Sequence, residues 1–562
     1  MKKIIIEHWI VLLIFIIAIF LRFYQLSSVP PSLNWDEAAL GYNAYSILQT
    51  GKDEYGSVLP LVFKSFGDFK PGIYVYLTVP FVAVFGLNEF STRTASSLFG
   101  ALTVLAIYFL VLELFSRKRL AIISALFLAI SPWHLLLSRP AYESIVAVFF
   151  NVCAILFFLK FIKKSSILFF LLSSLSFLIS IYTYQVSKLF VPLIVFGLIG
   201  FWFKEVKNLI NLKIISVAIV AILLSSPLYL GTLFGGQGGR LEVFSALSYP
   251  QTQEEINNLA IEDQTKSDST MFQLWHNQPY YLARIVLYHY LNHFSSNFLF
   301  FSQDSQNSRT AITDNGMMYL FDILFLTFGV YVFVKYYSKK PGFFTFFWLL
   351  ISPISAAITR DLIAPIRAAN LIIPLVIFSS FGADYLIDKL KTLAKVGILI
   401  GTILIFFMIW NFWFLADSYF VHNPELGSRD WLYGHKEAVK IIESYKNQAD
   451  RIIFTTNYNE PYIFNLFYSK YPPENFQKQA KLEMIRGQFD VGEVPGFDKY
   501  VFRPIYWPND RDLKNTLIIG AEMELPVKDI ERDIALGKVE VVGDIKFLDG
   551  SKSLQIVLTK NR

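Results

Sequence analysis

Two carboxylates stand side by side shortly after the first apolar run of the chain, in Asn34-Trp35-Asp36-Glu37. One carboxylate of such a pair, facing a cavity at a membrane surface, can serve as a general base. The same pair also suits the start of a helix over 38–49. Asp36 would be the N-cap and Glu37 would sit in the first turn, where negative charge complements the helix dipole. The two roles are compatible.

Cations follow at the ends of other apolar runs: Lys70, Arg93, Arg139, Lys188, Arg240, Arg309, Arg360 and Arg367. A bare charge is costly there unless it has a partner, and several fixed cations near a carboxylate suit an anion such as phosphate. Arg139 and Glu143 flank a short turn, where a surface salt bridge is the plainer reading. Lys188 follows Tyr182-Thr183-Tyr184, which also reads as an aromatic belt with a snorkelling lysine. Asp304, Asn307 and Arg309 form a polar cluster suited to a sugar or a phosphate. Arg360, Asp361 and Arg367 flank Pro365 and could hold a phosphate. His289 and His293 have metal-ligand spacing but no convincing third ligand, so they read as hydrogen-bonded residues of an interfacial helix, and no metal or other cofactor is called for. The run Gly235-Gly236-Gln237-Gly238-Gly239-Arg240 lacks the lysine and the strand–helix context of a nucleotide loop, and reads as a flexible loop.

The elements that position these residues are membrane helices. Of the 562 residues 54% are hydrophobic, Phe alone accounts for 55, and the mean hydropathy is +0.45. Lipid must be the solvent for most of such a chain. The net charge of +6 is too small to signal nucleic acid, and the single cysteine, Cys153, excludes an internal disulfide. Spans of about 20 apolar residues are expected at 8–26, 90–114, 119–137, 143–161, 166–183, 188–204, 213–230, 317–335, 342–358, 367–387 and 395–415. The first reads as an uncleaved helix, because 22–31 offers no small-residue cleavage site.

Segment 71–87 is ambiguous, and the positive-inside rule decides it. If it does not span, the clusters Lys2/Lys3, Arg117/Lys118/Arg119, Lys160/Lys163/Lys164, Lys204/Lys207/Lys213, Lys335/Lys339/Lys340 and Lys389/Lys391/Lys395 all fall on one side. That gives eleven spans, a cytoplasmic N-terminus, an interfacial 71–87, and two long outer loops, 27–89 and 231–316. From about 416 the chain turns charged. Strands are expected at 451–456, 516–520, 545–547 and 554–558, the last two flanking the turn Asp549-Gly550, with a short helix at 461–469. The expected organisation is a transmembrane domain over 1–415 and a small extracytoplasmic α/β domain over 416–562.

The Asp36-Glu37 pair after the first span resembles the first-loop motif of membrane glycosyltransferases with the GT-C fold. The similarity is greatest to the dolichyl-phosphate-mannose–protein mannosyltransferases and the lipid A aminoarabinose transferases, which are glycosyltransferase family 39-like. Lys70-Pro71-Gly72-Ile73-Tyr74 is similar to their Lys-Pro-Pro-Leu-Tyr element, with Gly72 in place of the second proline. Glu89-Phe90-Ser91-Thr92-Arg93 resembles their entry to the second span. The order and topology agree over roughly 1–415; the C-terminal region resembles no known family. The resemblance implies a mainly α, polytopic GT-C bundle that moves a sugar from a polyprenyl-phosphate donor to a hydroxyl on a glycan, lipid or protein acceptor. Asp36 would be the base, the anomeric carbon would invert, and Glu37 would orient or bind. A lipid-linked sugar transporter or flippase would instead show inverted repeats and charges at mid-membrane depth, whereas here the unusual residues gather in outer loops. A ligase moving a whole glycan remains an open alternative.

Overall fold

The computed structural model describes residues 2–66, 68–234, 246, 250–264, 274–275, 277–301, 307–336, 339–458, 460–479, 483–484 and 492–560. Asp304, Arg240 and the glycine-rich run 235–240 lie outside the described residues.

The first half is a run of helices: α1 (Lys2–Phe23), α2 (Trp35–Thr50), α3 (Ile73–Phe85), α4 (Glu89–Phe115), α5 (Lys118–Ile130), α6 (Pro132–Ser138), α7 (Glu143–Lys164), α8 (Ile167–Ile181), α9 (Ser187–Phe201), α10 (Phe203–Leu209) and α11 (Leu212–Phe234). Next come α12 (Pro250–Gln264), α13 (Gln278–Asn292), α14 (Phe321–Tyr336), α15 (Lys340–Ile351), α16 (Ile354–Ala357), α17 (Ile372–Thr392) and α18 (Ala394–Asp417). Every expected span is helical. By length and composition, α4, α7, α11, α17 (from Ala369) and α18 can cross a bilayer, and the count is up to seven if the bent pairs α5–α6 and α9–α10 are each one span. Helices α1, α8, α14 and α15 cover the other four expected segments but do not meet that test, so the count of eleven rests on the hydropathy pattern and not on helix length. The 55° bend between α5 and α6 has a local cause. Pro132 removes a backbone donor, and Ser131 caps the new helix by accepting from the His134 N–H.

Helices α14 and α17 pack backbone to backbone. A Cβ on Gly329 would strike the Phe378 carbonyl, and one on Gly382 the Phe325 carbonyl, which is the small-residue contact that membrane helices use for close approach. Basic clusters gather at one end of the bundle. Arg117 and Arg119 pair with Asp384, Arg119 also with Asp388, and Lys163 with Glu113.

Segment 71–87 forms α3. Its 13 residues reach about 20 Å, too short for a hydrocarbon core of about 30 Å. It buries one face, through Tyr74, Val75, Thr78 and Val82. Before it, β1 (Val62–Ser65) and β2 (Asp68–Pro71) form an antiparallel pair that places Lys70 opposite Phe63.

The C-terminal region follows with α19 (Asn423–Leu426), α20 (His435–Tyr445), β3 (Arg451–Phe454), α21 (Pro461–Tyr468), α22 (Pro473–Gln479), and a small pair β4 (Glu483–Met484) and β5 (Gly492–Glu493). It continues with β6 (Gly496–Phe497), β7 (Tyr500–Phe502), α23 (Trp507–Asp510), β8 (Thr516–Ala521), α24 (Val527–Ala535), β9 (Val539–Lys546) and β10 (Lys552–Thr559). Six strands form a mixed sheet in the order β6-β7-β3-β8-β10-β9, with β3 parallel to β7 and β8 and the β9–β10 hairpin antiparallel. Alternation along the central strands serves two cores. Ile453, Ile518 and Val557 pack with Trp507, Leu525 and Ile530 on one face. Ile452, Phe454, Leu517, Ile519 and Ile556 pack on the other.

That second core does not stop at the sheet. It continues through Phe464 and Phe467 of α21 into Ala38, Tyr42 and Ile47 of α2 and Tyr74 of α3. The approach needs a glycine, since a Cβ on Gly41 would lie 2.5 Å from Thr92 Oγ1 and 2.6 Å from the Phe467 ring. Polar contacts cross the same seam. Tyr42 donates to the Tyr471 carbonyl, Gln477 donates to Ser46, Thr50 and the Asp53 carbonyl, and Lys436 pairs with Glu89 at 2.7 Å.

Candidate active site

The first turn of α2 carries both carboxylates, but the N-cap is Asn34, not Asp36. Asn34 Oδ1 accepts from the Glu37 N–H at 2.9 Å, and Glu37 Oε2 accepts from the Asn34 N–H at 3.2 Å, a complete capping box. An N-cap at 34 puts Asp36 and Glu37 on different sides of the turn, and they meet different partners.

Glu37 is fully buried and fully engaged. Arg93 Nε donates to Oε1 at 2.9 Å and Nη2 to Oε2 at 3.2 Å, while the Ala141 N–H donates to Oε1 at 2.8 Å. Arg93, equally buried, spends its remaining donors on the carbonyls of Leu26, Pro30 and Ser32. Arg139 is buried too, and its two terminal nitrogens donate to the carbonyls of Leu21, Arg22, Tyr24 and Val29. In this arrangement the two arginines tie the end of α1 and the chain between α1 and α2 to α4 and to the C-terminus of α6.

Asp36 faces outward, its side chain 43% exposed, and receives an ion pair from Lys70, whose own side chain is 5% exposed. Lys70 leans on the Phe66 ring at 5.3 Å. On the same rim the Arg309 guanidinium stacks over Trp35 at 4.5 Å, and Asn307 Oδ1 accepts from its Nε at 3.2 Å. Tyr142 fixes that loop by donating to the Arg309 carbonyl at 3.0 Å. Glu143 opens α7 beside it, half-buried. Lys188 donates to Thr232 at 2.7 Å, three residues after Gln185, which holds the Phe69 carbonyl next to Lys70.

Arg360 and Arg367 gather around Asp361 in another loop, and Arg367 also donates to Thr359 at 3.0 Å. The histidines of α13 pin that loop. His293 Nε2 accepts from the Ala364 N–H at 3.1 Å, so Nδ1 carries the proton it shares with the His289 carbonyl, and His289 Nδ1 meets the Thr359 carbonyl. Among the described residues no three His, Cys, Asp or Glu side chains come together in a way that could hold a metal ion.

The structure adds a carboxyl that no motif marked. Glu54 lies in the turn after α2, fully buried. Its Oε1 accepts from Asn43 Nδ2 at 3.2 Å, and its N–H donates to Asn43 Oδ1 at 3.0 Å. Burial pushes its carboxyl up to about 8, the Asn43 hydrogen bond and the Lys70 charge pull it back, and Asp53 adds to the rise. Asn43 and Lys70 line one small cavity together with Leu40, Phe63, Ser65 and Val75.

Residues 12–234 match the family described as dolichyl-phosphate-mannose-protein mannosyltransferase. Among solved structures the chain is similar to ArnT from Cupriavidus metallidurans bound to undecaprenyl phosphate. The TM-score is 0.54 with 12% identity, and 98% of each chain is covered. It also aligns with the oligosaccharyltransferase AglB from Archaeoglobus fulgidus in complex with an inhibitory peptide and a dolichol-phosphate, with a TM-score of 0.48 and 14% identity over 83% of this chain. This chain spans 64% of AglB's length. No curated protein sequence matches it.

Proposed function

We propose, from the GT-C fold that this multi-pass membrane protein shares with ArnT, that it transfers a sugar from a polyprenyl-phosphate carrier to an acceptor hydroxyl. The observation that carries the reading is the Asp36–Lys70 pair. A general base and a cation stand together at a half-open rim, on a network that is otherwise closed.

Asp36 takes the acceptor proton as the hydroxyl oxygen attacks the anomeric carbon. The bond from that carbon to the phosphate oxygen breaks in line, its electron pair leaves with the lipid phosphate, and the anomeric centre inverts. Negative charge then grows on the phosphate at the edge of a low-dielectric medium, where fixed cations are worth more than in water. Lys70 turns from Asp36 to the phosphate, and Arg309, held by Trp35 and Asn307, is the second cation within reach of the rim. Glu37, Arg93 and Arg139 hold the frame. Lys188, Glu143, Arg360 and Arg367 have parts in binding donor or acceptor that sequence and position suggest, and Asp304 has one that the sequence alone suggests.

The rim lies on the extracytoplasmic side in this reading, with the C-terminal sheet on the same side and the N-terminus in the cytoplasm. Support comes from the basic ion pairs at the far end of α4, a 27-residue helix about 40 Å long.

Turnover of purified protein with a polyprenyl-phosphate sugar tests the reaction. Asp36→Asn should lower the rate by about 10²–10⁴ while the protein stays folded; near-normal turnover would remove Asp36 from the chemistry. Cysteines placed at positions 57 and 509 in a Cys153→Ala background should both label from outside, and labelling from opposite faces would break the topology.

A further inference from the structure

Beneath the rim is a second, closed layer of polar groups. Glu54 Oε2 and Ser65 Oγ are both buried with no hydrogen-bond partner among the described residues. Ser65 lines the same cavity as Asn43 and Lys70, and Asn43 bonds both ways with Glu54. The cavity is of a size that takes about one water. A fully buried carboxyl with an open acceptor position, bonded to an asparagine that shares a cavity with the site's lysine, is costly to keep for packing alone.

We propose that Glu54 is a positioning residue that governs where the Lys70 ammonium is directed. As a neutral acid it leaves Lys70 to Asp36 and the donor phosphate; as a carboxylate it draws Lys70 inward, off the rim. The inference rests on the reading that Lys70 receives the donor phosphate.

Among the described residues, titratable groups stand around Glu54 on several elements, and Glu460 at the start of α21 acts on Tyr55 and Tyr462 there. From α2 come Asn43 and the Tyr42 hydroxyl, which donates to the Tyr471 carbonyl. From its own turn come Asp53 and Tyr55, and from β2 comes Lys70. From the C-terminal region comes Tyr462, whose hydroxyl meets that of Tyr55 at 3.0 Å. Lys70 is the one cation in this set. The tyrosines are held as phenols by burial, and Asp53 accepts from the N–H groups of Tyr55 and Ser57. Burial moves the Glu54 carboxyl up to about 8, so its charge changes within the range that the test spans.

The test is binding of polyprenyl phosphate, without sugar, to the full-length protein between about pH 7.5 and 9.5, where the phosphate already carries its second charge. Wild-type affinity should fall by about tenfold across this range, with its midpoint near that of Glu54. Glu54→Gln, which is neutral throughout, should bind as wild type does at pH 7.5 and show no fall. Equal falls in both proteins would assign the effect to a group other than Glu54 and overturn the proposal, as would a flat wild-type profile. Glu54→Asp keeps an acid on a shorter stem and should move the midpoint; an unmoved midpoint overturns the proposal even where Glu54→Gln does not fold. Absence of polyprenyl-phosphate binding at every pH would overturn the lipid-phosphate reading itself, and this inference with it.

Discussion

One turn of α2 holds two carboxylate–cation pairs in opposite conditions. Glu37 and Arg93 are sealed, with both carboxylate oxygens and five guanidinium hydrogen bonds committed to the protein. Asp36 and Lys70 are one residue away, and there the carboxylate is 43% exposed. A buried charge is tolerated only when its hydrogen-bonding capacity is met by fixed partners, which leaves nothing for a ligand. A half-exposed carboxylate such as Asp36 can exchange its partner for a ligand or water at little cost. Charge and proximity in the sequence do not separate scaffold from chemistry; the state of the remaining hydrogen-bonding positions does.

The sharpest way to break this comparison is Glu37→Gln. It strands the Arg93 charge in the interior and should cost about 3–5 kcal/mol, read as lost yield of folded protein or a depressed melting temperature. A well-folded Glu37→Gln protein would mean that the inner pair is not structural. Next in size is Arg309→Ala, which should weaken donor use by about tenfold to a hundredfold, as expected for a hydrogen-bonded charge worth about 1.5–3 kcal/mol. An effect confined to acceptor affinity would assign Arg309 to the other substrate. Asn34→Ala removes the side-chain half of the capping box and should cost about 1 kcal/mol of stability with turnover retained. The smallest expected effect is on stability in Asp36→Asn, about 1 kcal/mol, since Asp36 is half-exposed and the amide oxygen that replaces its carboxylate can still accept from the buried Lys70. A large loss of stability there would place Asp36 with the scaffold.

Much of the architecture was legible because it is written locally. The apolar runs became helices, and Asp549-Gly550 did turn β9 into β10. The short apolar segment with Pro71 and Pro80 became α3. The capping box was legible in principle, as Asn34 precedes Glu37 by the required three residues, but the adjacent Asp36 drew the N-cap assignment. The β1–β2 pair left a fainter signal, in Gly67-Asp68 between the alternating residues of 62–71. Glu54 left none: a Lys-Asp-Glu-Tyr turn reads as solvated, and its cover includes residues far along the chain, such as Tyr462, whose hydroxyl meets that of Tyr55. The same holds for Arg93 and Arg139. Their spacing announces cations at span ends, while the carbonyls that occupy them lie roughly 60 to 120 residues away along the chain.

The seam between α2 and the C-terminal sheet also imposes a timetable. The hydrogen bond from Tyr42 to Tyr471 joins residues 429 apart in sequence. At ordinary synthesis rates the first turn of the site therefore waits roughly 20 to 90 s for the residues that cover it. Before that seam is complete, α18 and the whole six-stranded sheet must be made and must fold. The loop holding Glu54 and Lys70 is the part left uncovered meanwhile, so a chain arrested on the ribosome near residue 430 should be cut by protease between 51 and 70, where the finished protein resists. Equal resistance in both would show that the loop closes without its cover. The loop that holds Glu54 and Lys70 is thus covered last, and no half-made chain has it closed.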